Sequence, residues 1–373
     1  MEEPTQQETP RRRRQAARRA AAPGGGEPGH TRRVMITGVS GYWGTRLALH
    51  LEQDPRYEAI LGVDTRIPTA GQFRRTEFVG VDVKSPVILD ILHAQRIDTV
   101  VHLALISSVD KERVLDNNVL GTRHILAACA EVGVQKLILK SSTTVYGARP
   151  ENPNYLPESW PLKARPYHPY FRSYLEIERY AAEFLAEYPD VCVTLLRFPN
   201  VLGPTADTAL TRYLNERAVP TVLGFDPLYQ VIHEDDVTGA IVSAVERDVR
   251  GPVNVAADGV LYLHHIIRLA GKRPWPVITP LNYPLLNTLS SLPLMPVPHI
   301  EIDFLRYLWV ADTARMRNEL GFEPTHTAVQ TVQDFVQSSR LRRFAGPEEP
   351  QDMGELATAA LREILENPDE EGL

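Results

Sequence analysis

The chain has 373 residues, of which 43% are apolar and 23% charged, and a net charge of −7. That composition suits a soluble globular body of one or two merged domains with a large core. Two cysteines and the lack of any Cys/His metal spacing exclude a disulfide scaffold and a zinc module. The most apolar stretch, 284–298, is too short and proline-broken to span a membrane.

The charge is uneven. Residues 1–33 hold eight Arg against four Glu, a local +4 that leaves −11 on the remainder. Residues 1–32 read as a disordered basic tail. No apolar run of signal-peptide length follows its arginines, so a cytoplasmic setting is expected. A short basic tail on an acidic body implies no specific nucleic-acid partner.

Val34-Met35-Ile36 reads as a buried strand, and glycines follow at Gly38, Gly41 and Gly44 before Thr45–Leu51 takes up a helical period. Such a strand–turn–helix brings backbone amides and the positive helix end onto a pyrophosphate: Gly38 allows the turn, Gly41 the close approach, Gly44 the close packing. Ala59-Ile60-Leu61-Gly62-Val63-Asp64 is the second strand, and Asp64 at its end is placed to accept from an adenosine ribose. A carboxylate there favours NAD over NADP, while Arg66 two residues on leaves NADP open.

Further strands are predicted at 78–83, 98–104, 135–142 and 191–197. They alternate with helical patterns over 86–95 (capped by Ser85), 109–132 and 170–188, the last with Pro169 near its start. That alternation predicts an α/β fold, a Rossmann-type doubly wound parallel sheet over 33–204, with parts of 225–260 returning to it. Residues 149–167 form a proline-rich loop. A smaller C-terminal α/β lobe, 205–342, is expected to hold substrate, with helical pieces at 205–217, 235–247, 262–270, 312–319 and 327–339 and short strands near 230–232 and 252–256. Residues 343–373 read as an acidic tail with a short amphipathic helix. Cys129 and Cys192 read as buried apolar thiols in a reducing compartment.

Ligands of such a sheet bind where the strands end. Ser142, on the end of the fifth strand, and Tyr170, opening the next helix, form a sensible pair: the tyrosine gives or takes a hydroxyl proton while the serine orients a carbonyl.

Several segments, in order over residues 33 to about 340, resemble an extended short-chain dehydrogenase/reductase of the NAD-dependent epimerase/dehydratase group. They are Thr37–Gly44, Asp82-Val83, Val101-His102-Leu103-Ala104, Asn118–Thr122, Ser141–Gly147, Arg197–Pro204 and Ile232–Val237. The likeness is to members labelled UDP-glucose 4-epimerase-like. The resemblance implies cofactor contacts from Gly38, Ser40, Gly41, Tyr42, Trp43, Gly44, Asp64 and Arg66. It adds Asp82, Val83, Leu103, Ala104, Leu105, Asn118, Ser141, Tyr170, Phe198, Asn200 and Val201. Substrate contacts are implied from Ser107, Ser142, Thr143 and Asn200, and a homodimer through helices near 109–132 and 169–187. Asp82 reads equally as a solvated strand-end acid, and His233 and Asp236 as structural ties.

Three departures stand out. The lysine four residues after the family's active-site tyrosine is Tyr174 here. A free phenol of pKa ~10 is only about one part in a thousand ionised at neutral pH, and Lys140, Lys163 and Arg172 are the cations that could replace the missing charge. Either catalysis survives with an altered proton relay, or the dinucleotide is kept without turnover in a regulatory or scaffold protein. Second, the arginine that family epimerases place four residues before the His of Ile232-His233 is Tyr229, which leaves Asn200 as a lone phosphate or hydroxyl contact. Third, Thr143-Thr144 stand where dehydratases carry Asp-Glu, against sugar 4,6-dehydration. The apolar segment 283–298 is either a loop packed on the lobe, a cover over an apolar substrate as in 3β-hydroxysteroid-type relatives, or a membrane-surface contact.

Overall fold

The computed structural model describes residues 32–106, 111–165, 169–216, 218–277 and 302–345. Ser107, the expected tails apart from Arg32 and 343–345, which belong to the first strand and the last helix, and the apolar segment 283–298 lie outside the described residues, as does the side chain of Tyr170.

The chain opens β1 (Arg32–Thr37), α1 (Tyr42–Leu51), β2 (Tyr57–Asp64), β3 (Thr76–Gly80), α2 (Val87–Ala94) and β4 (Thr99–His102). It continues α3 (Lys111–Leu115), a π-helical turn (Asp116–Leu120), α4 (Gly121–Val132), β5 (Lys136–Ser142) and a 3-10 turn (Thr143–Tyr146). Then come α5 (Pro169–Glu187), β6 (Cys192–Phe198), β7 (Asn200–Leu202), α6 (Ala209–Asn215), β8 (Ala218–Val222), β9 (Leu228–Tyr229) and β10 (Val231–His233). It closes with α7 (Glu234–Glu246), β11 (Gly251–Asn254), β12 (Leu261–Tyr262), α8 (Leu263–Leu269), β13 (Arg273–Val277), a 3-10 turn (Ile302–Leu305), α9 (Ala314–Asn318) and α10 (Ala328–Ala345).

Seven strands make one parallel sheet in the order β11-β6-β5-β4-β1-β2-β3, the doubly wound arrangement whose order reverses beside β1. Alternation along β1 sorts its side chains. Val34 and Ile36 join Leu47 and Leu51 of α1 and Val237 and Ile241 of α7 on one face. Met35 joins Leu92 of α2, Ile125 and Cys129 of α4 and Phe184 of α5 on the other. A separate apolar cluster, with Tyr146, Tyr213, Tyr229, Trp309 and Phe335, forms the lobe. The lobe also carries three two-stranded sheets, β10-β7, β12-β9 and β13-β8.

Four expectations are revised. The single helix over 109–132 is interrupted by the π turn, which swings Asn117 and Asn118 toward residues 104–106. The fourth strand stops at His102, because the chain folds back with Leu105 N–H on the Leu103 carbonyl at 2.7 Å. Pro86, rather than Ser85, stands at the cap of α2, where Ser85 Oγ accepts from the Val87 amide at 3.4 Å. Cys192 is only half-buried. Strands β8 and β13 were missed because Pro220, Pro274 and Pro276 break their pattern, as tolerated on edge strands. Among the described residues no helix is long and apolar enough to cross a membrane.

Candidate functional site

The first βα turn is held by sterics that only glycine satisfies. Gly38 has φ +72°, and a Cβ there would lie 2.7 Å from the Ala104 nitrogen. At Gly44 a Cβ would fall 2.1 Å from the Gly38 carbonyl oxygen, so the helix start rests directly on the turn. Gly41 caps α1 in an extended conformation with no side chain to satisfy the first helical amides. Those amides, at Tyr42 and Trp43 among others, have no partner within the helix and point out of its positive end.

Tyr42 and Trp43 pack edge to face with ring centroids 4.6 Å apart. The Tyr42 hydroxyl meets Thr205 Oγ1 at 2.7 Å, tying the turn to the lobe, and burial pushes this phenol well above its ordinary value.

Asp64 ends β2 beside that turn. Its Oδ2 accepts from Ser40 N–H at 3.1 Å and its Oδ1 from Arg66 N–H at 3.0 Å. Each carboxylate oxygen keeps a lone pair for a further donor, such as a ribose hydroxyl. Arg66 folds back, donating from Nη2 to the Ser40 carbonyl at 3.4 Å, while Ser40 Oγ donates to the Arg66 carbonyl at 2.6 Å. Asp82 lies past β3, its Oδ1 accepting from Lys84 N–H at 2.8 Å, and Val83 is buried where a Gly121 Cβ would touch it at 2.9 Å.

The β4 end is organised by a buried polar relay. His102 sits between Thr37 Oγ1 at 2.7 Å and Thr122 Oγ1 at 3.0 Å, and burial holds its imidazole down at about 4. Thr37 Oγ1 also accepts from the Leu103 and Ala104 amides, fixing the chain that flanks the glycine turn. Asn118 is turned inward: Oδ1 accepts from Ile106 N–H at 2.8 Å, and Nδ2 donates to the Ile106 carbonyl at 3.0 Å and to Ser173 Oγ at 3.3 Å. It therefore shapes the 104–106 segment and ties it to α5.

The β5 end presents two serines on opposite faces. Ser141 Oγ donates to Glu178 Oε1 at 2.6 Å, inside a buried cluster in which Arg197 grips Glu178 with two bonds of 2.8 and 2.7 Å. Arg197 Nη1 also donates to the Tyr146 hydroxyl, which donates to Asn254 Oδ1, each at 2.7 Å. Burial pushes the Tyr146 phenol up to about 12.

Ser142 Oγ accepts from the Thr144 amide at 3.3 Å and from Thr144 Oγ1 at 3.0 Å. Its own proton is thus left for another acceptor. Helix α5 begins at Pro169, and Tyr174, one turn after Tyr170, is buried with its hydroxyl 3.2 Å from Lys140 Nζ.

Beyond β6, Phe198 and Val201 are core residues, whereas Asn200 Nδ2 and Thr143 Oγ1 are buried with no hydrogen-bond partner among the described residues. Orphaned polar atoms at strand ends are those a bound molecule would satisfy. The glycine cradle, Asp64 and these orphans fit a dinucleotide lying across the sheet's C-terminal edge. Tyr229 differs from the rest: it is buried with its hydroxyl donating to the Phe304 carbonyl at 2.9 Å, so it presents no cation to a diphosphate. His233 meets Asp334 at 3.0 Å, and Asp236 accepts from Thr325 and His326, which fastens the lobe to α7. Sequence reasoning missed the Thr37–His102–Thr122 relay, although the Thr and His at adjacent strand ends signal it.

The site and sheet define a dinucleotide-binding protein of the doubly wound class. Residues 34–256 match the profile of the NAD dependent epimerase/dehydratase family, and the chain belongs to that family. An uncharacterised protein of Mycobacterium tuberculosis is 33% identical over 329 residues, covering 86% of this chain and 87% of that one. A UDP-glucose 4-epimerase of Yersinia pestis is 32% identical over 184 residues, 46% of this chain and 53% of the epimerase. Among solved structures, a UDP-glucose-4-epimerase from Stenotrophomonas maltophila, with bound NAD and formylated UDP-arabinopyranose, superposes with a TM-score of 0.65 at 22% identity, over 84% of this chain and all of that one.

Proposed function

We infer that the protein binds NAD and acts as an oxidoreductase or epimerase on a secondary alcohol or ketone, with nucleotide sugars as the first substrates to try. The observation that carries this reading is the first βα turn: Gly38 and Gly44 packed so tightly that no Cβ fits, a free helix N-terminus and Asp64 beside it. Bound NAD would supply the hydride acceptor and, once reduced, the donor. Asp64 would accept from the ribose diol and repel a 2′-phosphate.

Ser142, with Thr144 filling its acceptor side, would donate to the substrate oxygen and orient it. Tyr170 would hold the proton that moves to or from that oxygen. The same reading makes the protein a homodimer through helices within 109–132 and 169–187.

A second reading has its own observation. Tyr174 replaces the expected lysine, which would suit a protein that retains NAD for structure or sensing. The experiment that separates the two loads the protein with NAD and mixes it with UDP-hexoses and simple secondary alcohols. Reduced-nicotinamide absorbance and product chromatography are then followed for the parent and Tyr170→Phe. The variant should bind NAD within about threefold of the parent by calorimetry and lose turnover by about 10²–10⁴-fold. No turnover of any of these substrates by the NAD-loaded parent, or no heat of NAD binding to folded protein, would overturn the enzyme reading, and turnover unchanged in Tyr170→Phe would remove the proton-transfer role from Tyr170.

A further inference from the structure

Lys140 lies half-buried near the end of β5 and donates from Nζ to the Tyr174 hydroxyl at 3.2 Å, with its ammonium 5.8 Å from that ring's centroid. Lys140 and Ser142 are two residues apart on one strand and project to the same face of the sheet. Tyr170 and Tyr174 are four positions apart on α5, the spacing that puts two residues on one face of a helix. The Lys140–Tyr174 bond therefore joins the strand carrying the substrate-orienting serine to the helix face carrying both tyrosines. The two other cations named above lie elsewhere. Lys163 pairs with Glu151 at 3.3 Å and lies over the Trp160 ring, and Arg172 is exposed on another face of α5.

A phenol surrounded by neutral groups is a poor proton donor at pH 7. A cation in contact with its neighbourhood stabilises the oxygen that loses the proton, and a donor to a hydroxyl oxygen strengthens that hydroxyl's own donation. We propose that Lys140 is the positioning residue of the proton-transfer site, acting through the Tyr174 hydroxyl and delivering from the strand a positive charge that the helix lacks. This rests on the oxidoreductase reading above. During reduction the Tyr170 O–H bond breaks and its proton passes to the substrate oxygen as hydride reaches the carbon. Lys140 offsets the charge left on the phenol oxygen. In the oxidising direction the same proton returns.

The test compares the parent with Lys140→Met, Lys140→Arg, Tyr174→Phe and the double variant Lys140→Met/Tyr174→Lys, all loaded with NAD. Tyrosine ring-carbon NMR, with Tyr174 assigned from Tyr174→Phe, reads the hydroxyl without any turnover. The Tyr174 signal should titrate at higher pH in Lys140→Met than in the parent. In the turnover assay Lys140→Met should be about tenfold or more slower at pH 7, with the deficit shrinking as pH rises. Lys140→Arg should retain most activity, and the double variant should recover the parent's pH profile by returning the charge from the helix.

Superimposable Tyr174 titrations in the parent and Lys140→Met would overturn the proposal. So would pH profiles that differ only by a uniform factor. Tyr170→Phe run in parallel keeps the two claims apart. If that variant is inactive while Lys140→Met matches the parent, the proposal alone falls. If Tyr170→Phe is fully active, the role given to Tyr170 falls, and if the parent turns over none of the substrates, the oxidoreductase reading falls; in either case the NMR titration still decides whether Lys140 acts on Tyr174.

Discussion

His102 shows how one side chain sets the local geometry of the cofactor edge. Its ring is enclosed by Thr37 and Thr122, and burial depresses it to about 4 against a free value near 6.5. Between those values the unfolded chain binds a proton that the folded one refuses, so stability rises with pH through that window and is lost as pH falls from about 6.5 toward 4. At pH 5 the loss from this group alone comes to about 2 kcal/mol. Urea unfolding at pH 7.5 and pH 5 should show the parent losing about that much more than His102→Gln. Equal losses would mean the imidazole is protonated in place. The histidine's position was legible in the sequence as a strand end, but its two hydroxyl partners come from β1 and α4, 65 residues before and 20 after it, a proximity no local pattern encodes.

At the scale of elements, α5 is locked to the sheet by a buried ion pair. Glu178 and Arg197 are each about 4% exposed in their side chains, and Ser141, Tyr146 and Asn254 complete the cluster. Removing one partner strands the other charge in the core. Glu178→Gln should therefore cost about 3–5 kcal/mol in a denaturant titration, and the joint replacement Glu178→Met/Arg197→Met clearly less. A loss under 1 kcal/mol for the single variant would show that water reaches Arg197. The order of strands and helices from β1 to β6 was readable because apolar runs alternate with amphipathic ones, and the glycine spacing gave away the first turn. The π turn was not readable, since Asp116–Leu120 lie inside a longer helical pattern and the extra residue is selected by what Asn117 and Asn118 must reach. Nor were the lobe's two-residue strands, whose pairing with distant partners rather than their own sequence defines them.

Across the whole molecule, the last strand of the main sheet arrives late. After β6 the chain leaves to build β7 to β10 and α6 and α7, and returns with β11 against β6, Val253 beside Leu196. Asn254 then receives Tyr146 and gives its amide hydrogens to the Leu156 and Asp312 carbonyls, linking sheet and lobe. A fragment ending at residue 204 exposes the β6 edge and leaves the Arg197 cluster incomplete. It should be recovered mostly as aggregate, while a fragment spanning 32–345 should give a single cooperative melt with NAD-dependent stabilisation. A monomeric, cooperatively melting 32–204 fragment would show that the sheet needs no eleventh strand. The position of β11 also orders events during synthesis: a nascent chain on the ribosome carries its glycine turn early but must wait for some two hundred further residues to emerge before its central layer can close, so consolidation comes only after about two thirds of the polypeptide has been made and an open strand edge must be shielded until then.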